Sequence, residues 1–339
     1  MIFCTVDLWY QLPRKVLDPM SFEILKLKLS LYYMKKLIDT IVCCGGGIRC
    51  TSFIGVFKKL EEIIKTRAVL EEAGEDVSGV TQIDLKTFAG VSAGSIFGLM
   101  YLIGFTSLEM EDEIINKKLD QLKDIRFLNF ASKYGIDSGN NIIKWIESLM
   151  IGRGFDKDVT FNDLYAKTKV DFQVFATNLN KYSYTKFNYT ETPDLKLTDA
   201  IRMSISIPFM FTINKFNMDT KKAGSGDTHV DGGLIDSYPI YLFRDRLETT
   251  LGLKLVSHGE LKSHKVNEKI DDLEGYIYHI LACFMVQRDR KITLNEEYVD
   301  HTIYIDTQGI TQTVNFGLSV DEKKRLIRIG FEEANKYFS

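Results

Sequence analysis

The chain has 339 residues, 45% apolar and 26% charged, a globular composition with ample core for one large α/β domain or two smaller ones. A net charge of −3 argues against nucleic acid as the main partner. Five cysteines, an odd number with no metal spacing, fit free thiols in a reducing compartment, and no apolar run reaches the roughly 18 residues needed to span a bilayer.

The start, Met1 to Asp7, meets a charge too early for a signal peptide, so a cytoplasmic protein that touches membranes only peripherally is expected. Residues 1–38 read as an N-terminal extension and residues 39–339 as the main domain. Within the extension, Phe22 to Leu37 has helical spacing (Leu25, Leu29, Tyr32, Leu37) with Lys26, Lys28, Lys35 and Lys36 interleaved. An accessory helix packed on the domain is expected, with a helix on a membrane surface as the alternative.

Asp39 to Cys44 reads as a buried strand from its β-branched content, and Gly45-Gly46-Gly47 ends it. Phe53 to Lys65 puts Ile54, Phe57, Leu60, Ile63 and Ile64 on one helical face. Glu71 to Thr81 reads as a surface connection. Next comes Gly90-Val91-Ser92-Ala93-Gly94, between a β-forming lead-in and an apolar run at helical spacing (Ile96, Leu99, Met100, Ile103). That is strand, tight turn and helix, with Ser92 at the apex and small residues where strand and helix approach. Residues 107–169 read as mostly helical, with turns at Tyr134-Gly135 and Gly152-Arg153-Gly154. Val170 to Asn178 and Tyr182 to Tyr189 alternate and are expected to pair. Asp199 to Phe211 holds Arg202, Ser204 and Pro208. Thr228 to Val230 is a short strand ending in Asp231-Gly232-Gly233. Leu255 to His258 and Thr302 to Ile305 read as further strands, with an apolar helix at about Leu273 to Arg288 between them. A capping box, Ser319 to Glu322, opens the last helix, which turns Leu326, Ile327, Gly330, Phe331, Ala334 and Tyr337 to the core. Strands alternating with helices predict a mostly parallel sheet covered on both faces.

A serine that transfers an acyl group needs a base, donors for the developing oxyanion and room for the acyl chain. Gly45-Gly46-Gly47 suits the second need, because backbone N–H groups without side chains can approach a substrate oxygen closely. Arg49 adds a permanent charge that could hold a phosphate or brace the loop. The loop lacks the Gly-Lys-Ser/Thr ending of a phosphate loop and the spaced glycines of a dinucleotide loop. For the base, His301 has the chain order of an α/β-hydrolase triad. Asp231 is the better candidate, since it ends a strand before two glycines and so sits at the carboxyl edge of the sheet, where sites collect. His229 shares the face of Asp231 and is expected to line a wall. Cys43 and Cys44 read as buried strand thiols.

Taken together, Gly45-Gly46-Gly47-Ile48-Arg49, Gly90-Val91-Ser92-Ala93-Gly94, Arg202-Met203-Ser204 with Pro208, and Asp231-Gly232-Gly233 resemble the patatin-like phospholipases over residues 39–339. The resemblance implies a three-layer α/β/α sandwich with a mostly parallel central sheet. It implies Ser92 as nucleophile, Asp231 as general base, the Gly46 and Gly47 N–H groups as oxyanion hole, and Gly45 and Arg49 in support, with no metal or cofactor. The implied substrates are phospholipid, lysophospholipid or other acyl-glycerolipid esters. Such substrates imply transient contact with a membrane surface, for which Phe22 to Leu37 and Met100 to Phe105 are the candidate segments, though ordinary packing is the expected role of each. An acyltransferase using the same dyad and a non-catalytic lipid-binding protein stay open as alternatives. Three positions depart from the family pattern: Cys44 before the glycines, Cys50 after Arg49, and Ser237 before Tyr238-Pro239. Cys50 bears on the packing of the loop and the geometry of the hole.

Overall fold

The computed structural model describes residues 37–256, 280, 295–307, 310 and 317–339. Residues 22–36 of the expected N-terminal helix lie outside the described residues, and Leu37 instead begins β1; of the expected helix Leu273 to Arg288 only Ile280 is described, and Cys4, His258, His264, His279 and Cys283 are not. The strands are β1 (Leu37–Cys43), β2 (Gln82–Val91), β3 (Gly135–Asp137), β4 (Asp171–Asn178), β5 (Ser183–Phe187), β6 (Phe209–Phe211), β7 (Asn214–Asn217), β8 (Lys222–Ala223), β9 (Asp227–Asp231), β10 (Thr250–Val256) and β11 (Thr302–Asp306). The α-helices among the described residues are α1 (Phe53–Glu72), α2 (Ala93–Leu102), α3 (Ser107–Asn116), α4 (Leu128–Lys133), α5 (Asn140–Gly152), α6 (Phe161–Thr168), α7 (Leu197–Ser204), α8 (Glu296–Val299) and α9 (Val320–Tyr337).

The central sheet has the order β11-β10-β1-β2-β4-β9-β7-β8, with β5 also paired to β4. From β11 to β4 every pairing is parallel. β1 returns to β2 through α1, and β2 to β4 through α2 to α6, so their faces are covered, and β1 and β10 are buried almost throughout. Beyond β4 the pairings are antiparallel, and short turns join β4 to β5, β7 to β8 and β8 to β9. The sheet is therefore mixed, with helices on both sides. β10 begins at Thr250 rather than near Leu255, since both its faces are buried and it shows no alternation to mark its start.

One register in β4 decides where the site forms. β2 pairs with β4 up to Val91 opposite Phe175, while β5 takes the other edge. β9 runs the opposite way and pairs Asp231 with Ala176, on the edge that β2 has just vacated. The C-terminal ends of β2 and β9 thus meet head-on in one lane of the sheet.

The outer layers dock through glycines. α1 crosses α9 where a Cβ on Gly330 would lie 1.8 Å from the Ser52 carbonyl oxygen and one on Gly55 would lie 2.0 Å from that of Ile327. Gly330→Ala is expected to cost about 1–3 kcal/mol through overpacking. An unchanged urea midpoint would contradict this close approach. The capping box of α9 forms as read, with the Ser319 N–H donating to Glu322 Oε2 at 2.8 Å. Lys323, buried one residue on, donates from Nζ to the Ile114 and Lys117 carbonyls at 3.0 and 2.8 Å and so caps the C-terminus of α3. Met100 and Ile103 are buried at the end of α2, so of the two candidate membrane segments, Met100 to Phe105 contributes to the core.

Candidate active site

Ser92 sits between β2 and α2 with φ 50° and ψ −131°, a conformation that a non-glycine residue adopts only when its surroundings enforce it. The surroundings are visible on both sides. A Cβ on Gly90 would lie 2.6 Å from the Ser95 Cα, and one on Gly94 would lie 2.5 Å from the Cys44 carbonyl oxygen. The Ser92 N–H donates to Ser204 Oγ at 2.8 Å, and Ser204 Oγ donates in turn to the Phe175 carbonyl at 2.6 Å. The Ser92 carbonyl accepts from the N–H and the hydroxyl of Ser95, at 2.9 and 2.6 Å. With the backbone held from both directions, the hydroxyl is left to face β9.

There Ser92 Oγ donates to Asp231 Oδ2 at 2.6 Å. The other carboxylate oxygen accepts from the Gly233 N–H at 2.8 Å. The Asp231 backbone is fixed as well: its N–H donates to the Ser206 carbonyl and its carbonyl accepts from Thr177 Oγ1, both at 2.8 Å. Burial raises the Asp231 carboxyl to about 6 against the lowering effect of the Ser92 and Gly233 hydrogen bonds. Near neutral pH the group is therefore a carboxylate able to take a proton from its neighbour.

The glycine loop leaves β1 and reaches the same point. The Gly45 N–H donates to the Ser237 carbonyl at 2.9 Å, and a Cβ on Gly45 would lie 3.2 Å from that of Ser92. Gly47 has φ 56°, the left-handed region that suits glycine. The N–H groups of Gly46 and Gly47 have no hydrogen-bond partner among the described residues. Arg49 lies in the 3₁₀ turn Gly47–Ser52, with its Nε buried and unpaired among the described residues.

Cys50 is buried and its thiol contacts the Cys44 carbonyl oxygen at 3.7 Å, while Cys44 Sγ accepts from the Leu255 N–H at 3.2 Å. The two unusual cysteines therefore pack the underside of the loop. Burial holds the Cys43 and Cys50 thiols well above their ordinary range, so they stay protonated, and Cys43, Cys44 and Cys50 are all free.

The histidines do not join the serine. His301 precedes β11 and its carbonyl accepts from the Gly252 N–H, three strand spacings of about 4.8 Å from the lane of Ser92 and toward the opposite end of the sheet. The chain order that favoured it carries no spatial information. His229 is buried between Phe187 and Phe216, with Nε2 3.0 Å from Thr185 Oγ1 and Nδ1 3.1 Å from the Asp227 carbonyl. Desolvation lowers its pKa, so it is neutral, and it is packed in the interior with no exposed face.

Sequence reasoning named Arg202 and Ser204 without giving them a task. Ser204 holds the Ser92 amide. Arg202 is buried, donates from Nε and Nη2 to the Ser138 carbonyl at 3.1 and 2.7 Å, and reaches Thr212 from Nη2 and the Ser206 hydroxyl from Nη1. It thereby ties the start of α5 and the end of β6 to the residue whose carbonyl holds the Asp231 amide. The family pattern was the signal for both residues; the partners, up to 112 positions away, were not readable.

A family model described as patatin-like phospholipase matches residues 41–244, the span that carries the glycine loop, Ser92, Arg202 and Asp231. The chain belongs to the patatin-like phospholipase family. Within that setting, this patatin-like chain is 27% identical over 303 residues to an uncharacterised protein of Acanthamoeba polyphaga mimivirus, covering 88% of this chain and 93% of that one. It is also 27% identical over 211 residues to a protein of Invertebrate iridescent virus 6 named as a probable lipid hydrolase, covering 60% and 63%. Among solved structures it is similar to VipD from Legionella pneumophila, with a TM-score of 0.49, 15% identity, and coverage of 90% of this chain and 67% of that one.

Proposed function

We propose that the protein is a lipid acyl hydrolase that cleaves carboxylic esters of phospholipids or lysophospholipids through an acyl-enzyme on Ser92. The observation that carries this reading is the 2.6 Å hydrogen bond from Ser92 Oγ to a buried Asp231 carboxylate at the C-terminal edge of the sheet. Family membership and the probable lipid hydrolase of the iridescent virus support the lipid substrate class.

In the proposed reaction Ser92 Oγ attacks the ester carbonyl carbon as its proton passes to Asp231 Oδ2. The developing oxyanion is met by the Gly46 and Gly47 N–H groups, and their lack of a partner among the described residues supports that role. Collapse of the tetrahedral adduct breaks the bond to the alcohol, which leaves with the proton held by Asp231. Water then attacks the acyl-enzyme, again giving its proton to Asp231. The fatty acid departs as Ser92 recovers its hydrogen. Arg49 braces the glycine loop beside this oxygen. No step calls on a metal or cofactor.

The base must be ionised, so kcat/KM is expected to fall about tenfold per pH unit below about 6, the value to which Asp231 is raised. An acid limb centred near the ordinary carboxyl range of about 4 would contradict the buried base.

Lipid product profiling tests the reading. Wild type should release free fatty acid from phospholipid or lysophospholipid, and Ser92→Ala should not. With lysolipid added, fatty acid as the main product separates hydrolysis from acyl transfer. Lipid binding without any acyl product in wild type would leave only the non-catalytic alternative.

A further inference from the structure

Among the described residues, a group of exposed apolar side chains lies outside the Met100 to Phe105 run. Phe127 and Leu128, at the start of α4, are 77% and 92% exposed. Phe130 and Tyr134 on the same turn are also exposed, and the Phe130 ring lies 6.4 Å from that of Phe209, itself 45% exposed. Phe209 follows Pro208 and has φ 68°, a left-handed conformation that a bulky residue rarely takes, and it carries its ring outward.

The patch is built into the frame of the site. β3 pairs with β6 in parallel, Gly135 opposite Phe209, and the Ile213 N–H donates to the Lys133 carbonyl at 3.2 Å. The Arg126 N–H donates to the Ile136 carbonyl. Phe209 is three residues beyond Ser206, whose carbonyl holds the Asp231 amide, and three residues of chain reach at most about 11 Å. The aromatic surface is thereby joined, through Phe209, to the segment that holds the Asp231 backbone.

Its charges identify the partner. Arg126 and Lys133 are exposed on either side of the Phe127–Phe130 turn, in a chain whose net charge is negative. Arg126 shares its charge with Asp124 at 3.1 Å, an exposed and weak pair. Apolar rings between cations match the boundary layer of a bilayer, where rings enter the acyl region and cations meet lipid phosphates. A two-fold contact between copies would instead bring the same cations into one interface.

We propose that Phe127, Leu128, Phe130, Tyr134 and Phe209, flanked by Arg126 and Lys133, form the surface by which this protein docks on a phospholipid bilayer, with a preference for anionic lipid. The proposal rests on the acyl-hydrolase reading in that it names where that site meets its lipid phase. Docking here sets the mouth of the site against the lipid headgroups, so an ester can reach Ser92 without crossing bulk water.

Flotation of the full-length chain with phosphatidylcholine vesicles, with and without phosphatidylserine, tests it. The wild type should float, more strongly with phosphatidylserine. Phe127→Ser combined with Leu128→Ser should weaken the partition at least ~10-fold, since two largely exposed side chains lose their insertion energy. Arg126→Gln combined with Lys133→Gln should remove most of the gain due to phosphatidylserine. Circular dichroism and thermal unfolding should be unchanged in both variants, because the altered side chains are exposed. Undiminished flotation of the Phe127/Leu128 variant would overturn the proposal. So would a wild-type dimer that the same substitutions turn into a monomer, which would assign the patch to a second copy. A chain that floats through this patch yet releases no fatty acid would support the docking surface while contradicting the hydrolase reading.

Discussion

Ser92→Ala or Asp231→Asn is expected to lower ester hydrolysis by at least ~10³ with the fold retained. In the proposed reaction the two groups act as a unit, the hydroxyl giving its proton to the oxygen it already touches at 2.6 Å. Removing either should therefore cost about as much as removing both. Stability should move differently. Burial raises the Asp231 carboxyl from 3.8 to about 6, so the folded protein resists its ionisation. The stability this group contributes is greatest below about pH 4 and is lost as pH rises through 6. A neutral asparagine escapes that penalty, keeps an acceptor for the Gly233 N–H and turns its amide N–H toward Ser92 Oγ. Asp231→Asn should thus unfold at pH 7 no earlier than wild type while losing activity. A variant that lost activity only by losing its fold would show a lowered midpoint. If Asp231→Asn kept near-normal turnover while His301→Ala abolished it, the base would be misassigned.

The second large effect falls on a residue outside the chemistry. Arg202→Met is expected to destabilise the fold by about 3–5 kcal/mol, the usual cost of breaking a buried charged network by removing one partner. The guanidinium is buried deeply enough that its pKa falls to about 10, yet it stays charged at neutral pH because Asp137 lies nearby and its donors are used. A methionine of similar length would leave the Ser138 and Thr212 carbonyls and the Ser206 hydroxyl without this donor. The loss should propagate to Asp231 through the Ser206 carbonyl, so the surviving folded fraction should also turn over more slowly. Arg202→Lys should rescue little, since one ammonium cannot replace a planar fork that reaches Ser138, Ser206 and Thr212 together. Urea unfolding at pH 7 measures the stability term. An unchanged midpoint in Arg202→Met would show that the network carries no net stability.

The parts of this site that were legible in the sequence are those imposed by local sterics. Gly90 and Gly94 flank Ser92 because a Cβ at either would collide with a neighbouring backbone, and that requirement is visible as a spacing. Asp231 was legible because it ends a short strand before two glycines. The meeting of the two was not. It depends on β2 and β9 sharing one edge of β4, and nothing in the pattern of Val170 to Asn178 says that its edge is divided at Phe175 and Ala176. β3 and β6 are too short to show a period, so the segment around Tyr134 read as a turn and the ledge that presents Phe209 went unseen. The apolar run from Met100 to Phe105 packs as its helical spacing leads one to expect. Met100 and Ile103 are apolar because they are core, whereas Phe127 and Leu128 are apolar and exposed. Composition alone cannot separate these cases, because both look the same until the neighbouring elements are in place.

The most direct test of the central claim is covalent. A serine-reactive fluorophosphonate probe, followed by peptide mapping, should place a single phosphonyl adduct on Ser92 in wild type. Ser92→Ala should carry none, and Asp231→Asn should label at least ~10² more slowly, because the hydroxyl loses the carboxylate that accepts its proton. An unlabelled Ser92, or an adduct on another serine with hydrolysis intact, would contradict the account.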